Sequence, residues 1–154
     1  VDTTNTLAFE QVQEQHFEAV PLSESPNFGF NRNVHWFKLS IYNPSAKEDF
    51  LFEVAYSVID SIDVYYNVQG TWLKKTAGDM LPISVRDIAH RHPTFEFSLP
   101  PEKTLTLYLR VHTISSVQVP IIIWHRDDFF DSSFHMQMLN GLFFGAVLIM
   151  MMYQ

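Results

Sequence analysis

Between Asn33 and His125 apolar and polar residues alternate with a period of two, the repeat of a strand that buries one face. In TLTLYLRV, Leu105, Leu107, Leu109 and Val111 fall on one side, and Thr104, Thr106, Tyr108 and Arg110 on the other. NVHWFKLSIYN behaves alike: Phe37, Leu39 and Ile41 point one way, and Trp36, Lys38, Ser40 and Tyr42 the other. FLFEVAYS, IDVYYNV, TWLKKTAGD, TFEFSL and VQVPIIIWH predict further strands, with turn signals at NPSAKED, Gln69-Gly70 and PPEK. Val1 to Asn31 alternates poorly and carries PLSESPNFGFN, which predicts one or two strands and a turn-rich lead-in. Seven or eight short strands with no long helical repeat among them predict an all-β fold, an antiparallel β-sandwich. A jelly roll is the preferred strand order and an immunoglobulin-like sandwich the alternative, because periodicity does not distinguish them.

The pattern changes at the C-terminus. From Met138 the chain reads MLNGLFFGAVLIMMMYQ, and the nearest ionisable groups upstream are His135 and Asp131. Leu142, Phe143, Phe144, Val147, Leu148, Ile149 and Met150 surround a helix axis without leaving a polar side, as in a membrane span. At about 1.5 Å per residue, Leu139 to Tyr153 would reach roughly 22 Å, short of a hydrocarbon core of roughly 30 Å. The run is therefore expected to open a transmembrane helix, with Gly141 and Gly145 spaced for close helix approach. RDDFFDSSFHMQ reads as a connector, giving a sandwich over 1–131 and a connector with the start of a helix over 132–154. Val1 opens without methionine or a signal-like apolar run, which fits a mature, exported chain tethered by its C-terminus.

Composition narrows the function. With 154 residues, 47% of them hydrophobic, the chain is long enough for one domain with a core. Seventeen acidic against ten basic residues give a net charge of −7 without basic runs, which argues against nucleic acid as a partner. The absence of cysteine excludes disulfides, a thiolate nucleophile and cysteine-based zinc sites. No GxSxG, HExxH, P-loop or GxGxxG stands in the sequence, so no enzyme activity is expected of it.

Polar chemistry concentrates in GDMLPISVRDIAHRH, Gly78 to His92. His90 and His92 would point the same way on an extended chain, but a metal would need a further ligand from Asp79, Asp87 or His112. A polar lead into the next strand is the commoner meaning of such a motif, so no metal or cofactor is assigned. Asp127, Asp128 and Asp131 lack the spacing of an EF-hand loop. Trp36 and Trp72 offer flat apolar faces for a sugar ring or another ligand, or else pack partly into the core. Arg86 and Arg91 would add forked donors for hydroxyls or a carboxylate, or else form surface ion pairs with Asp79 or Asp87.

The succession HWFKLSIYNPS, VIDSIDVYY, GDMLPISVRD, FEFSLP, LYLRVHTISS and a strand ending in Trp124 before DDF resembles a bacterial sensor module. It is similar to the type 2 extracellular domain of the seven-transmembrane receptors with diverse intracellular signalling modules. The apolar run that follows resembles the opening of their first helix, and the resemblance covers roughly Ala19 onward. It implies a periplasmic jelly roll like those of carbohydrate-binding modules, in a protein of the bacterial inner membrane. It further implies a carbohydrate or related small molecule as ligand, and a histidine kinase or diguanylate cyclase as cytoplasmic output. The family's Gly-Asp, Pro and Arg pattern falls on Gly78, Asp79, Pro82 and Arg86, and its Tyr-x-Arg strand on Tyr108 and Arg110. The polar residues after that strand correspond to Ser115 and Ser116, and its strand-opening tryptophan to Trp36. His90 and His92 depart from the pattern.

The expected ligand-binding set is thus Arg86, Asp79, Trp36, Trp72, Arg91 and Arg110. The alternative is a protein-interaction module or a homodimer contact without a small molecule, since aromatics and arginines also furnish interface hot spots.

Overall fold

A computed structural model of the chain describes residues 1–19 and 26–153. Part of the expected turn-rich lead-in, 20–25, lies outside the described residues. The elements are α1 (Phe9–Gln13), β1 (Asn27–Phe30), β2 (His35–Tyr42), β3 (Asp49–Val54), β4 (Ser61–Val68) and β5 (Thr71–Ala77). After a short 3-10 turn at Ile83–Val85 follow β6 (Thr94–Ser98), β7 (Thr104–His112), β8 (Ser116–Gln118), β9 (Ile121–His125) and α2 (Arg126–Met152).

The strands form antiparallel sheets of order β2-β7-β4-β5 and β6-β3-β9, with β1 and β8 as a separate pair. This is the all-β, sandwich-like architecture that alternation predicts. Register explains why it works: Phe37 sits opposite Leu109 and Leu39 opposite Leu107, so the apolar sides of β2 and β7 coincide. Between the two larger sheets Phe52, Phe95, Ile59, Ile62, Val64, Leu107, Leu109 and Val111 are fully buried. Each such side chain contributes about 1.5–3 kcal/mol by leaving water. The hairpin expected at Gln69-Gly70 is a two-residue turn with both φ angles positive, 51° and 89°.

Three elements differ from expectation. VQVPIIIWH is not one strand: Pro120 has no N–H to donate, and the chain breaks there into β8, paired with β1, and β9, paired with β3. At the N-terminus, β1 is joined by the short helix α1 and by a single bridge between Asp2 and Val34. The buried Asp2 carboxylate fastens that segment by accepting the N–H groups of Thr4, Asn5 and Leu7 at 3.1, 2.9 and 2.9 Å. Finally, RDDFFDSSFHMQ is helical, because Asp127 and Asp128 favour the N-terminal turn of α2 and Phe129 is buried against the sandwich. No loop separates β9 from α2: His125 ends one and Arg126 starts the other. At 27 residues, or about 40 Å, α2 is long and apolar enough to cross a membrane. Along it the side chains of Leu142, Phe143, Phe144, Leu148 and Ile149 are exposed.

Candidate functional site

Alternation sends Trp36, Tyr65, Trp72 and Tyr108 to the outer side of the four-stranded sheet, and β-pairing brings them together. Tyr65 lies opposite Tyr108, and Asn67 opposite Trp72. α1 covers them. Its Phe9 ring stacks on Tyr65 at 4.3 Å and 6°, meets Trp72 edge-on at 4.9 Å and Tyr108 at 5.5 Å, and lies 6.4 Å from Trp36. Phe17 adds a second edge contact to Tyr108. Tyr108, expected on the solvent side, is therefore buried. Burial, followed by the charge of Asp63, pushes the Tyr65 phenol up. Arg110 lies on the same side, with Nη1 3.9 Å from Asp63, whose carboxylate also accepts from Thr76 at 2.8 Å. Three of the expected ligand residues, Trp36, Trp72 and Arg110, thus converge on one surface, and the chain's own phenylalanine occupies its centre.

Arg86 and Asp79 lie elsewhere, on the long connection from β5 to β6. That connection starts at Gly78, which is buried with a φ of +149°; a Cβ there would meet the backbone oxygen of Asp60 at 2.2 Å. The Asp79 N–H then donates to Ile59 O at 2.7 Å, and the exposed Asp79 carboxylate has no hydrogen-bond partner among the described residues. Arg86 turns inward. Its Nη1 donates to His90 O at 2.9 Å and its Nη2 to Gly78 O at 2.7 Å, bracing the two ends of the loop. Asp87, weighed as an arginine partner, instead accepts from Lys75 Nζ at 2.5 Å and from the Glu96 N–H at 3.2 Å. Ser116 enters β8, while the Ser115 N–H donates to Thr113 Oγ1.

The loop's end meets the outer side of β3 and the first turns of α2, and there a cluster forms that the sequence did not announce. Glu53 of β3 is buried, 4% exposed. Its Oε1 lies 2.5 Å from His92 Nδ1 and 3.8 Å from His90 Nδ1, and its Oε2 accepts the indole N–H of Trp124 at 2.6 Å. Phe129 of α2 packs edge-on against His90 at 5.0 Å and beside Trp124 at 6.1 Å. Arg126 is further paired with Glu96 of β6. Burial lowers the His90 pKa while Glu53 opposes that shift, so the neutral imidazole is favoured. An open cleft of about 350 Å³ runs beside the cluster, lined by Glu53, His90, Arg91 and Trp124 from the sandwich and by Ser133, Gln137 and Asn140 from α2.

Asp79, Asp87 and His112, the sequence's candidates to join the two histidines, are not in this cluster; Glu53 is. FLFEVAYS predicts a strand, and nothing in it singles out Glu53. Its burial comes from the loop and α2 lying over it. Trp124 and Phe129 were likewise missed as site residues, and the only sequence signal for them was their position at the junction with the apolar helix.

No curated protein matches the chain. Residues 1–125 match the family model described as 7TMR-DISM extracellular 2.

Proposed function

The chain belongs to the 7TMR-DISM extracellular 2 family, and from that premise we propose that it is the periplasmic ligand-sensing domain of a bacterial inner-membrane signalling receptor. One observation carries the reading: the sandwich and a helix long enough to span a membrane line the same cleft, with no loop between β9 and α2. A molecule held there touches both bodies. It biases the pose of the helix by the difference in its affinity for two arrangements, about 1–3 kcal/mol in typical couplings.

The lining favours a small polar ligand of the carbohydrate class. Trp124 supplies a flat apolar ring, Arg91 a forked donor, and Ser133, Gln137 and Asn140 hydroxyl and amide groups that match sugar hydroxyls. The surface of Trp36, Trp72 and Arg110 offers similar chemistry, but a ligand there must first lift Phe9. Occupancy would pass through the following membrane helices to a cytoplasmic histidine kinase or diguanylate cyclase, and no catalytic role falls to the domain itself.

Exposed apolar side chains favour a second reading as a protein-interaction or dimerisation module. Phe30 at the end of β1 is 86% exposed and Ile114, just before β8, is 67% exposed. The two readings separate in one experiment: thermal-shift screening of the chain against sugars and organic acids, with light scattering for self-association. A stabilising compound whose effect is lost in Arg91→Ala supports the sensor; a tight dimer with no stabilising compound refutes it.

A further inference from the structure

Glu53 is a buried carboxylate that, among the described residues, is ion-paired with no lysine or arginine; its ionisable partners are His90 and His92 alone. A carboxylate withdrawn from water needs a compensating charge, and a neutral indole N–H supplies only a hydrogen bond. The side chains around it are arranged as ligands. One carboxylate oxygen of Glu53 and one ring nitrogen each of His90 and His92 lie within 4.8 Å of one another. His90 and His92 are alternate residues leading into a strand, which turns both imidazoles to the same side. The backbone N–H of His92 lies 3.4 Å from His90 Nδ1, a long contact that a metal bound to that nitrogen would replace.

We propose that Glu53, His90 and His92 bind one divalent transition metal of the zinc class, with a fourth position facing the cleft for water or a ligand oxygen. Zinc bonds of about 2.0–2.2 Å at a tetrahedral angle set donor atoms about 3.3–3.5 Å apart. The separation of His90 Nδ1 from Glu53 Oε1, 3.8 Å, is close to that value. The 2.5 Å contact of His92 with Glu53 widens by less than about 1 Å as the metal replaces the shared proton, which leaves to solvent. Trp124 holds the other carboxylate oxygen at 2.6 Å and so fixes the orientation of the ligand. Two imidazoles select this class over calcium or magnesium, which prefer all-oxygen sites. The metal would join β3 to the loop directly beneath Phe129. Its part in sensing rests on the reading above, whereas its binding does not.

The test uses the full chain in detergent micelles, stripped with EDTA and titrated with zinc against a chromophoric chelator, with cobalt as a spectroscopic substitute. The expected result is one equivalent of zinc, a visible cobalt spectrum of a tetrahedral nitrogen and oxygen site, and affinity reduced about tenfold or more in each of His90→Gln and His92→Gln. Glu53→Gln is the riskier variant because the residue is buried; His90 is partly exposed, so His90→Gln should keep the wild-type circular dichroism. Substoichiometric zinc on the wild type, or unchanged affinity in folded His90→Gln and His92→Gln, overturns the site. A sugar that stabilises the chain while zinc does not bind removes the metal and keeps the sensor. Zinc bound and then lost in His90→Gln supports the metal whatever that screen returns.

Discussion

Replacing Arg86 with alanine distinguishes a ligand hand from a brace. In the structure both arms of the guanidinium are spent on backbone carbonyls, His90 O at 2.9 Å further along the loop and Gly78 O at 2.7 Å at its start. Hydrogen bonds from a charged donor are worth about 1.5–3 kcal/mol each. Arg86 is half-buried, so water replaces part of what alanine removes, and the expected loss is about 2–3 kcal/mol for the two together. For a domain of this size that lowers Tm by about 10 °C. Thermal unfolding of the micelle-bound chain, followed by circular dichroism, measures it. Trypsin provides the local readout, because cleavage after Arg91 should accelerate as the loop opens. Arg86→Lys keeps one donor for two diverging carbonyls and should lose about half as much. If Arg86→Ala unfolds within about 2 °C of the wild type and Arg91 is cut no faster, the brace is wrong and the side chain is available to a ligand, as the sequence alone expects.

Two further outcomes follow from backbone and burial. Gly78→Ala should cost about 3 kcal/mol or more in urea unfolding, because a Cβ meets Asp60 O at 2.2 Å and Ser61 Cα at 2.8 Å, all backbone, at a positive φ; a change under about 0.5 kcal/mol contradicts the close approach. His35 is buried, with Nδ1 donating to Asn33 O at 3.0 Å and Nε2 without a partner among the described residues, and burial holds its pKa below the usual histidine value. The unfolded chain therefore takes up the proton first as pH falls, and stability should decline below about pH 6.5. His35→Gln should lose less stability between about pH 7.5 and 5.5 than the wild type, and equal losses would refute the assignment.

The fold was legible because two-residue alternation decides which side of each strand is buried. Leu105, Leu107, Leu109 and Val111 pack against Phe37, Leu39 and Ile41 across β2 and β7 as their spacing demands. The same alternation does not foresee burial of an outer face by something other than a sheet. Glu53 is buried by the loop and α2, and Tyr108 by Phe9 and Phe17, neither of which is encoded in the strand that carries the residue. Alternation puts Trp36 and Arg110 on the polar sides of their strands, and β-pairing brings Trp72 to the same surface. Arg86 was recognisable by type and position, but whether its fork faces solvent or backbone depends on the path of the loop. The histidine pair was visible and its partner was not, since that partner stands far back in the chain, on β3, and only tertiary packing brings it there.

Phe9 is joined to the surface it covers by a short stretch of chain, fastened at Asp2. A ring on so short a tether is present at an effective concentration in the millimolar range. Any ring offered from outside competes with it for the space between Tyr65 and Trp72. At micromolar concentration such a ligand displaces Phe9 only if it binds about a thousandfold more tightly than the tethered ring does. The aromatic face thus carries its own concentration threshold, and changing the length of the chain between Asp2 and Phe9 would reset that threshold without altering a single contact on the sheet.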